Sequence, residues 1–200
     1  MSLGRTLIDD ASLAYLTKMK SLDRLDLYAT PITDAGGVTL ARIRNLRVLS
    51  LDRTAIGNPT LIALGKKQQL WNTLSLRYTR IDSAGLNVAN VLAFQFLLAG
   101  TAIGDEAAPF LANWGTIHRL DLSDTRFTDA GLEQLRAMDG LRNLRLRNLP
   151  VTDRGVLRLL HPDPAVLAAL DTPEQRRDAL ATLRFSDQPP HVWLFADNLR

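Results

Sequence analysis

The chain is predicted to be an α/β solenoid, a horseshoe with a parallel sheet on its concave side and helices on its convex side. Three observations predict it. First, the template Leu-x-x-Leu-x-Leu-x-x-Thr-x-Ile recurs about every 24 residues between Leu22 and Val151, a period that belongs to stacked arrays. Second, each copy contains a Leu-x-Leu pair of period two, which turns both side chains to one face of a short strand. Third, each copy then switches to helical spacing, as in Phe127-Thr128-Asp129-Ala130-Gly131-Leu132.

The elements follow in order. Met1 to Gly4 match no copy, so residues 1–5 are expected to be a tail, and the array is expected over residues 6–160. Leu7-Ile8-Asp9-Asp10-Ala11-Ser12-Leu13 resembles Pro31-Ile32-Thr33-Asp34-Ala35-Gly36-Gly37, so the chain opens midway through a unit with its helical half, an opening compatible with a fragment. The copies then read Leu22, Leu25, Leu27, Thr30, Ile32; Leu46, Leu49, Leu51, Thr54, Ile56; and Trp71, Leu74, Leu76, Thr79, Ile81. A weaker copy has Ala93, Phe96, Leu98, Thr101, Ile103. Ile117, Leu120, Leu122, Thr125, Phe127 and Leu141, Leu144, Leu146, Leu149, Val151 complete the series.

Helix starts are expected at Thr33, Thr128 and Thr152, each followed by an Asp whose charge suits a helix N-terminus. The Thr column at positions 30, 54, 79, 101 and 125 places hydroxyls where the chain turns inward and backbone groups lose their partners. Strands joined through helices run parallel with right-handed crossovers. Strands lie about 4.8 Å apart and helices about 8–10 Å apart, so the stack bends toward its strands.

Past Leu160 the spacing fails, and residues 161–200 are expected to form a helical cap with a final edge strand. Asp163-Pro164 and Thr172-Pro173-Glu174-Gln175 are helix starts, the second with a capping box. Ala165 to Leu170 and Glu174 to Leu183 read as helices, with a degenerate strand as the rival for the first. His191 to Leu199 fits the strand template. Trp193 and Phe195 then fall on the concave side, either beneath the extra helices or open to another chain.

These columns resemble the leucine-rich repeat family, and the Thr-x-Ile-Thr-Asp-Ala-Gly-Leu pattern is similar to bacterial members of its ribonuclease-inhibitor-like branch. The ladder residue here is Thr where many relatives carry Asn or Cys, and Phe96 replaces a Leu. The resemblance implies a protein-binding scaffold whose ligand lies against the concave strands.

Composition narrows the function classes. The absence of Cys excludes disulfide caps, thiolate metal sites and thiol catalysis, and favours a reducing, cytoplasmic setting, with a secreted effector acting in a host cytoplasm as the alternative. No apolar run is long enough to span a bilayer, so no membrane partner is expected. No nucleophile motif joins His118, and no metal-ligand spacing or phosphate loop occurs, so no catalytic residue, cofactor or metal is assigned. The array is read as non-catalytic by itself. An alternative, motivated by resemblance, makes it the substrate-recognition part of a larger bacterial effector enzyme such as a ubiquitin ligase.

The register puts alternate strand residues on the concave wall, where another protein is expected to bind. Arg24, Tyr28, Arg53, Arg77 and Tyr78 are candidate aromatic and Arg anchors. Phe94 and Leu97 face solvent in this register, unless a local shift buries them. Arg119, Arg145 and Arg147, with Arg142, form a basic cluster interleaved with Asp121 and Asp124, so mutual pairing across neighbouring strands competes with binding an acidic partner. Nucleic acid is disfavoured because acids match the basic residues and no stacking motif accompanies them.

Overall fold

The computed structural model describes residues 1–160, 172, 174, 175 and 193–195. Among the described residues, seven parallel strands lie in chain order: β1 (Arg24–Asp26), β2 (Val48–Ser50), β3 (Leu70–Ser75), β4 (Leu92–Leu97), β5 (Arg119–Asp121), β6 (Asn143–Arg145) and β7 (Trp193–Phe195). The strands pair without slippage. Leu25, Leu49, Leu74, Phe96, Leu120, Leu144 and Leu194 stand opposite one another in turn.

Helices return the chain between strands: α1 (Leu13–Leu16), α2 (Asp34–Leu40), α3 (Asn58–Lys66), α4 (Ser83–Val88), α5 (Ala108–Asn113), α6 (Asp129–Gln134) and α7 (Asp153–Leu160). Short 3-10 turns at Asp105–Ala107 and Leu135–Ala137 flank α5 and α6. Between sheet and helices runs one core, in which the Leu columns, Trp71, Phe96 and Phe127 are fully buried. Each buried Leu contributes about 1.5–3 kcal/mol, and every repeat depends on its neighbours for that burial.

One column of side chains closes the turn within each repeat, and another ties neighbouring repeats together. On the turn side, Thr30, Thr54, Thr79, Thr101 and Thr125 are buried and donate their hydroxyls to the carbonyls of Leu27, Leu51, Leu76, Leu98 and Leu122 at 2.6–2.7 Å. They therefore satisfy turn carbonyls, as expected.

On the helix side, Thr33 and Thr128 cap their own helices as expected, but the acidic residues reach further than a first-turn charge would. Asp10, Asp34, Asp105 and Asp129 each accept from the helix start of the next repeat. Asp10 takes the backbone N–H and hydroxyl of Thr33, Asp105 those of Thr128, and Asp129 those of Thr152, at 2.5–2.9 Å. Asp34 accepts from the N–H groups of Gly57 and Thr60 and from the Thr60 hydroxyl. Close approach of helix and carboxylate requires a missing side chain, because a Cβ on Gly131 would strike the Asp105 carboxylate and the Phe127 ring.

The start of the chain departs from expectation. Residues 1–5 form no free tail but continue the sheet before β1. Ser2 bridges Asp26 in parallel, the Leu3 N–H donates to Asp26 O at 2.8 Å, and the Arg5 N–H donates to Tyr28 O at 2.7 Å. Thr6 donates its hydroxyl to Leu3 O, as Thr30 does to Leu27 O. Leu3, Thr6 and Ile8 thus occupy the positions of Leu27, Thr30 and Ile32, and the missing first half of the template hid the match.

At the other end, Thr172 and Gln175 exchange hydrogen bonds at 3.0 and 3.2 Å, the expected capping box. The helices expected over Ala165 to Leu170 and through Leu183, and the side chains of Trp193 and Phe195, lie outside the described residues.

Candidate functional site

The chain leaves β1 to β6 each through a residue with left-handed backbone. Arg5, Ala29, Arg53, Tyr78, Asp124 and Asn148 have φ between 52° and 58°, and Gly100 completes the column at 69°. This conformation aims each N–H at the next repeat: Ala29, Arg53, Tyr78, Gly100 and Asp124 donate to Asp52, Arg77, Ala99, Ser123 and Arg147 carbonyls at 2.8–2.9 Å. A non-glycine residue held there costs about 1–3 kcal/mol, which the repeated bonding offsets.

Side chains on this column run along the rim of the concave wall. The Arg53 guanidinium lies 4.5 Å from the centre of the Tyr78 ring, a cation–π contact. That ring lies over Gly100, where a Cβ would collide with it, and its hydroxyl donates to Asp124 Oδ2 at 2.7 Å. Asn148 Nδ2 donates to the other Asp124 oxygen at 2.9 Å. The bond to Asp124 pushes the Tyr78 phenol above its ordinary range, and the bonds from Tyr78 and Asn148 hold the Asp124 carboxyl below the usual carboxylate range.

Beside the rim, a cavity of about 370 Å³ is lined by Arg77, Tyr78, Ala99, Asp121, Ser123, Asp124, Arg145 and Arg147. Asp121 is its hub and is almost fully buried. Its Oδ2 faces Arg77 at 3.3 Å and Arg145 at 3.9 Å, and its Oδ1 accepts the Ser123 N–H at 3.2 Å. Mutual pairing of the Arg and Asp residues, one expected outcome, therefore occurs, but Arg77 crosses from the repeat of β3 to β5 rather than pairing with its neighbour. Partial burial, then the charges of Arg119, Arg77 and Arg147, hold the Arg145 guanidinium below its ordinary value, while Asp121 acts in the opposite sense.

The structure gathers Arg77, Tyr78, Asp121, Arg145 and Arg147 at this cavity, with Arg119 electrostatically coupled to it and Arg53 stacked on Tyr78. Other expected anchors lie elsewhere. Arg24 is exposed beside Asp23, and Tyr28 lies under the Arg5 guanidinium at 5.3 Å. Phe94 is 38% exposed and packs edge-on against His118, with ring centres 5.2 Å apart.

Leu97 is corrected: it is 8% exposed rather than open to solvent. The register is not shifted. Leu97 stands between Ser75 and Asp121, both themselves buried, because inner-face side chains on strands about 4.8 Å apart close over one another. Gly100 joins the site without having been singled out, and Asp124 was expected only as a charge interleaved with the Arg cluster. Gly100 carried the one available signal, a glycine between strand and turn where φ becomes positive.

With the geometry in place, comparisons with known proteins follow. Residues 116–135 match the family model described as Leucine Rich repeat. Among solved structures, an internalin (InlF) from Listeria monocytogenes str. 4b F2365 is similar over 79% of this chain and 51% of its own, with 16% identity and a TM-score of 0.52. An internalin C2 (InlC2) from the same strain is similar over 78% of this chain and 74% of its own, with 20% identity and a TM-score of 0.48. The chain thus spans about half the length of the first, and that likeness is one of fold. No curated protein matches the sequence. Among the described residues, no helix is long and apolar enough to cross a membrane. The matched segment holds one copy of a template that recurs from Leu22 to Val151 and stacks in unbroken register, so the chain has the fold of a leucine-rich repeat array and is similar to that family.

Proposed function

We propose that this chain is a protein-recognition scaffold, non-catalytic by itself, that holds a partner against its concave strand wall. One observation carries the reading. Leu and Thr recur unit after unit in the core and turn columns, whereas the concave cavity collects Arg77, Tyr78, Asp121, Arg145 and Arg147 from positions whose residues vary along the array. Arg and Tyr in a recessed pocket are the residues on which protein interfaces concentrate their binding energy. The absence of Cys supports action in a reducing compartment.

Affinity capture with wild-type and charge-reversed chains tests the reading. A captured protein is expected to be lost with Arg119→Glu on the inner wall and retained with Arg136→Glu in the 3-10 turn after α6. Loss with the helix-side variant and retention with the inner one would place recognition on the opposite face.

A further inference from the structure

We infer that Arg77 and Tyr78 form a brace that ties the repeat of β3 directly to that of β5, so that the stretch from β3 to β5 moves as one rigid block. The brace presets the curvature of the concave wall, whatever that wall binds.

In a stacked array each repeat ordinarily touches only its two neighbours. The helix-side carboxylates obey that rule, since Asp10, Asp34, Asp105 and Asp129 all reach the next repeat and stop there. Arg77 and Tyr78 reach further. Arg77 Nη2 stands 3.3 Å from Asp121 Oδ2, and the Tyr78 hydroxyl donates to Asp124 Oδ2 at 2.7 Å. Because β4 lies between β3 and β5, each of these side chains crosses a whole repeat. The two residues are consecutive in sequence, so one turn sends an ion pair across the wall and a hydrogen bond along the rim, and both end in the repeat of β5.

The repeat they cross is shaped to let them pass. Leu97 stands in register between Ser75 and Asp121 and has no group that could pair with Arg77. Ala99 occupies the position of Arg77 and Ser123, and Gly100 that of Tyr78 and Asp124. A Cβ on Gly100 would collide with the Tyr78 ring, so the phenol reaches Asp124 only over bare backbone. Both ends are held. The Arg53 guanidinium stacks on the Tyr78 ring, Asn148 takes the other oxygen of Asp124, and the Ser123 N–H donates to Asp121 Oδ1. The path over β4 leaves Arg77 Nε buried with no acceptor among the described residues, a cost that the ties at the far end offset.

Double electron–electron resonance between paired spin labels tests the brace, and a chain without Cys allows the labels to be placed at will. Val38, Val88 and Gln134 are exposed on α2, α4 and α6. Labels at Val88→Cys and Gln134→Cys span the braced stretch, and labels at Val38→Cys and Val88→Cys span as many repeat boundaries outside it. Arg77→Gln combined with Tyr78→Phe should broaden the first distance distribution by about half and leave the second unchanged, because nearest-neighbour contacts alone then set the bend. Tyr78→Phe alone keeps the ring over Gly100 and removes only the bond to Asp124, so it serves should the double variant fail to fold. In it the amides of β4 and β5 should exchange hydrogen about fivefold faster, with those of β1 and β2 unchanged.

An unchanged Val88–Gln134 distribution in the double variant would overturn the brace. Equal broadening of both label pairs would overturn it as well, because the loosening would then be general. The same holds for Tyr78→Phe if exchange rises equally from β1 to β5 or does not rise at all.

Discussion

The helix side is stitched across its repeat boundaries by side chains and the concave rim by backbone N–H groups, so the two are written in different alphabets. Along the helix side one chemistry predominates: an Asp from one unit accepts from a Thr hydroxyl and N–H of the next at Asp10–Thr33, Asp105–Thr128 and Asp129–Thr152, while Asn58–Asp82 and Ser83–Gly104 bridge the middle boundaries. Along the rim only the backbone repeats. The left-handed column holds Ala29, Arg53, Tyr78, Gly100, Asp124 and Asn148, and its side-chain contacts use a ring face, a phenol and an amide in succession. Regular residues at regular positions build the stack, and irregular residues at regular positions shape its inner surface.

Four tests sharpen or break this contrast. The largest effect is expected where both ladders share a foundation. Leu122 is fully buried, and its carbonyl accepts from Thr125. Leu122→Asp places a charge in the common core, so it should cost more than about 3 kcal/mol and unfold several repeats together. Retention of the wild-type midpoint in urea would contradict a shared core.

Next comes the helix-side ladder. Gly131→Ala forces the Asp105 carboxylate from Thr128, so it should cost about 1–2 kcal/mol, close to the cost of Asp105→Ala, because both remove the same cap. Combined, the two should be far from additive, since one contact cannot be lost twice. Additive costs would separate the glycine from the carboxylate.

On the rim, Gly100→Ala meets both a positive φ and the Tyr78 ring, and about 1–2 kcal/mol is expected. Its particular signature is spectroscopic: the Tyr78 phenol, released from Asp124, should titrate closer to an ordinary tyrosine. An unmoved Tyr78 titration would show that the ring does not depend on the bare glycine.

The smallest effect is a pH dependence. The Asp124 carboxyl is depressed by its bonds to Tyr78 and Asn148, so its contribution is present above the unfolded value of 3.8 and is lost as pH falls through the folded value. Asp124→Asn should therefore cost stability near neutrality and progressively less between about pH 5 and about pH 2. A difference from wild type that stays constant over that range would remove the ionised carboxylate from the account.

How much was legible in the sequence follows the same division. The Leu columns and the Thr turn were readable because burial imposes a period of two on every strand and the turn imposes one polar residue at a fixed offset. The helix caps were readable by residue type, but not the forward reach of Asp34 or Asp129, whose partners are set by stacking rather than by nearby sequence. The left-handed column was hidden because Ala, Arg and Tyr give no sign of positive φ, unlike Gly100. Arg77 and Asp121 both appeared among the candidates, but their pairing spans two strands and escapes a rule of nearest neighbours. Leu97 was placed on the correct face, and only its burial was misjudged.

The contrast between a building face and a reading face is tested most directly by hydrogen–deuterium exchange on the captured complex. The account predicts new protection in β3 to β6 and in the rim residues that follow them, with exchange in α2 to α7 unchanged. Protection gathered on the helices, with the strands unaltered, would contradict it.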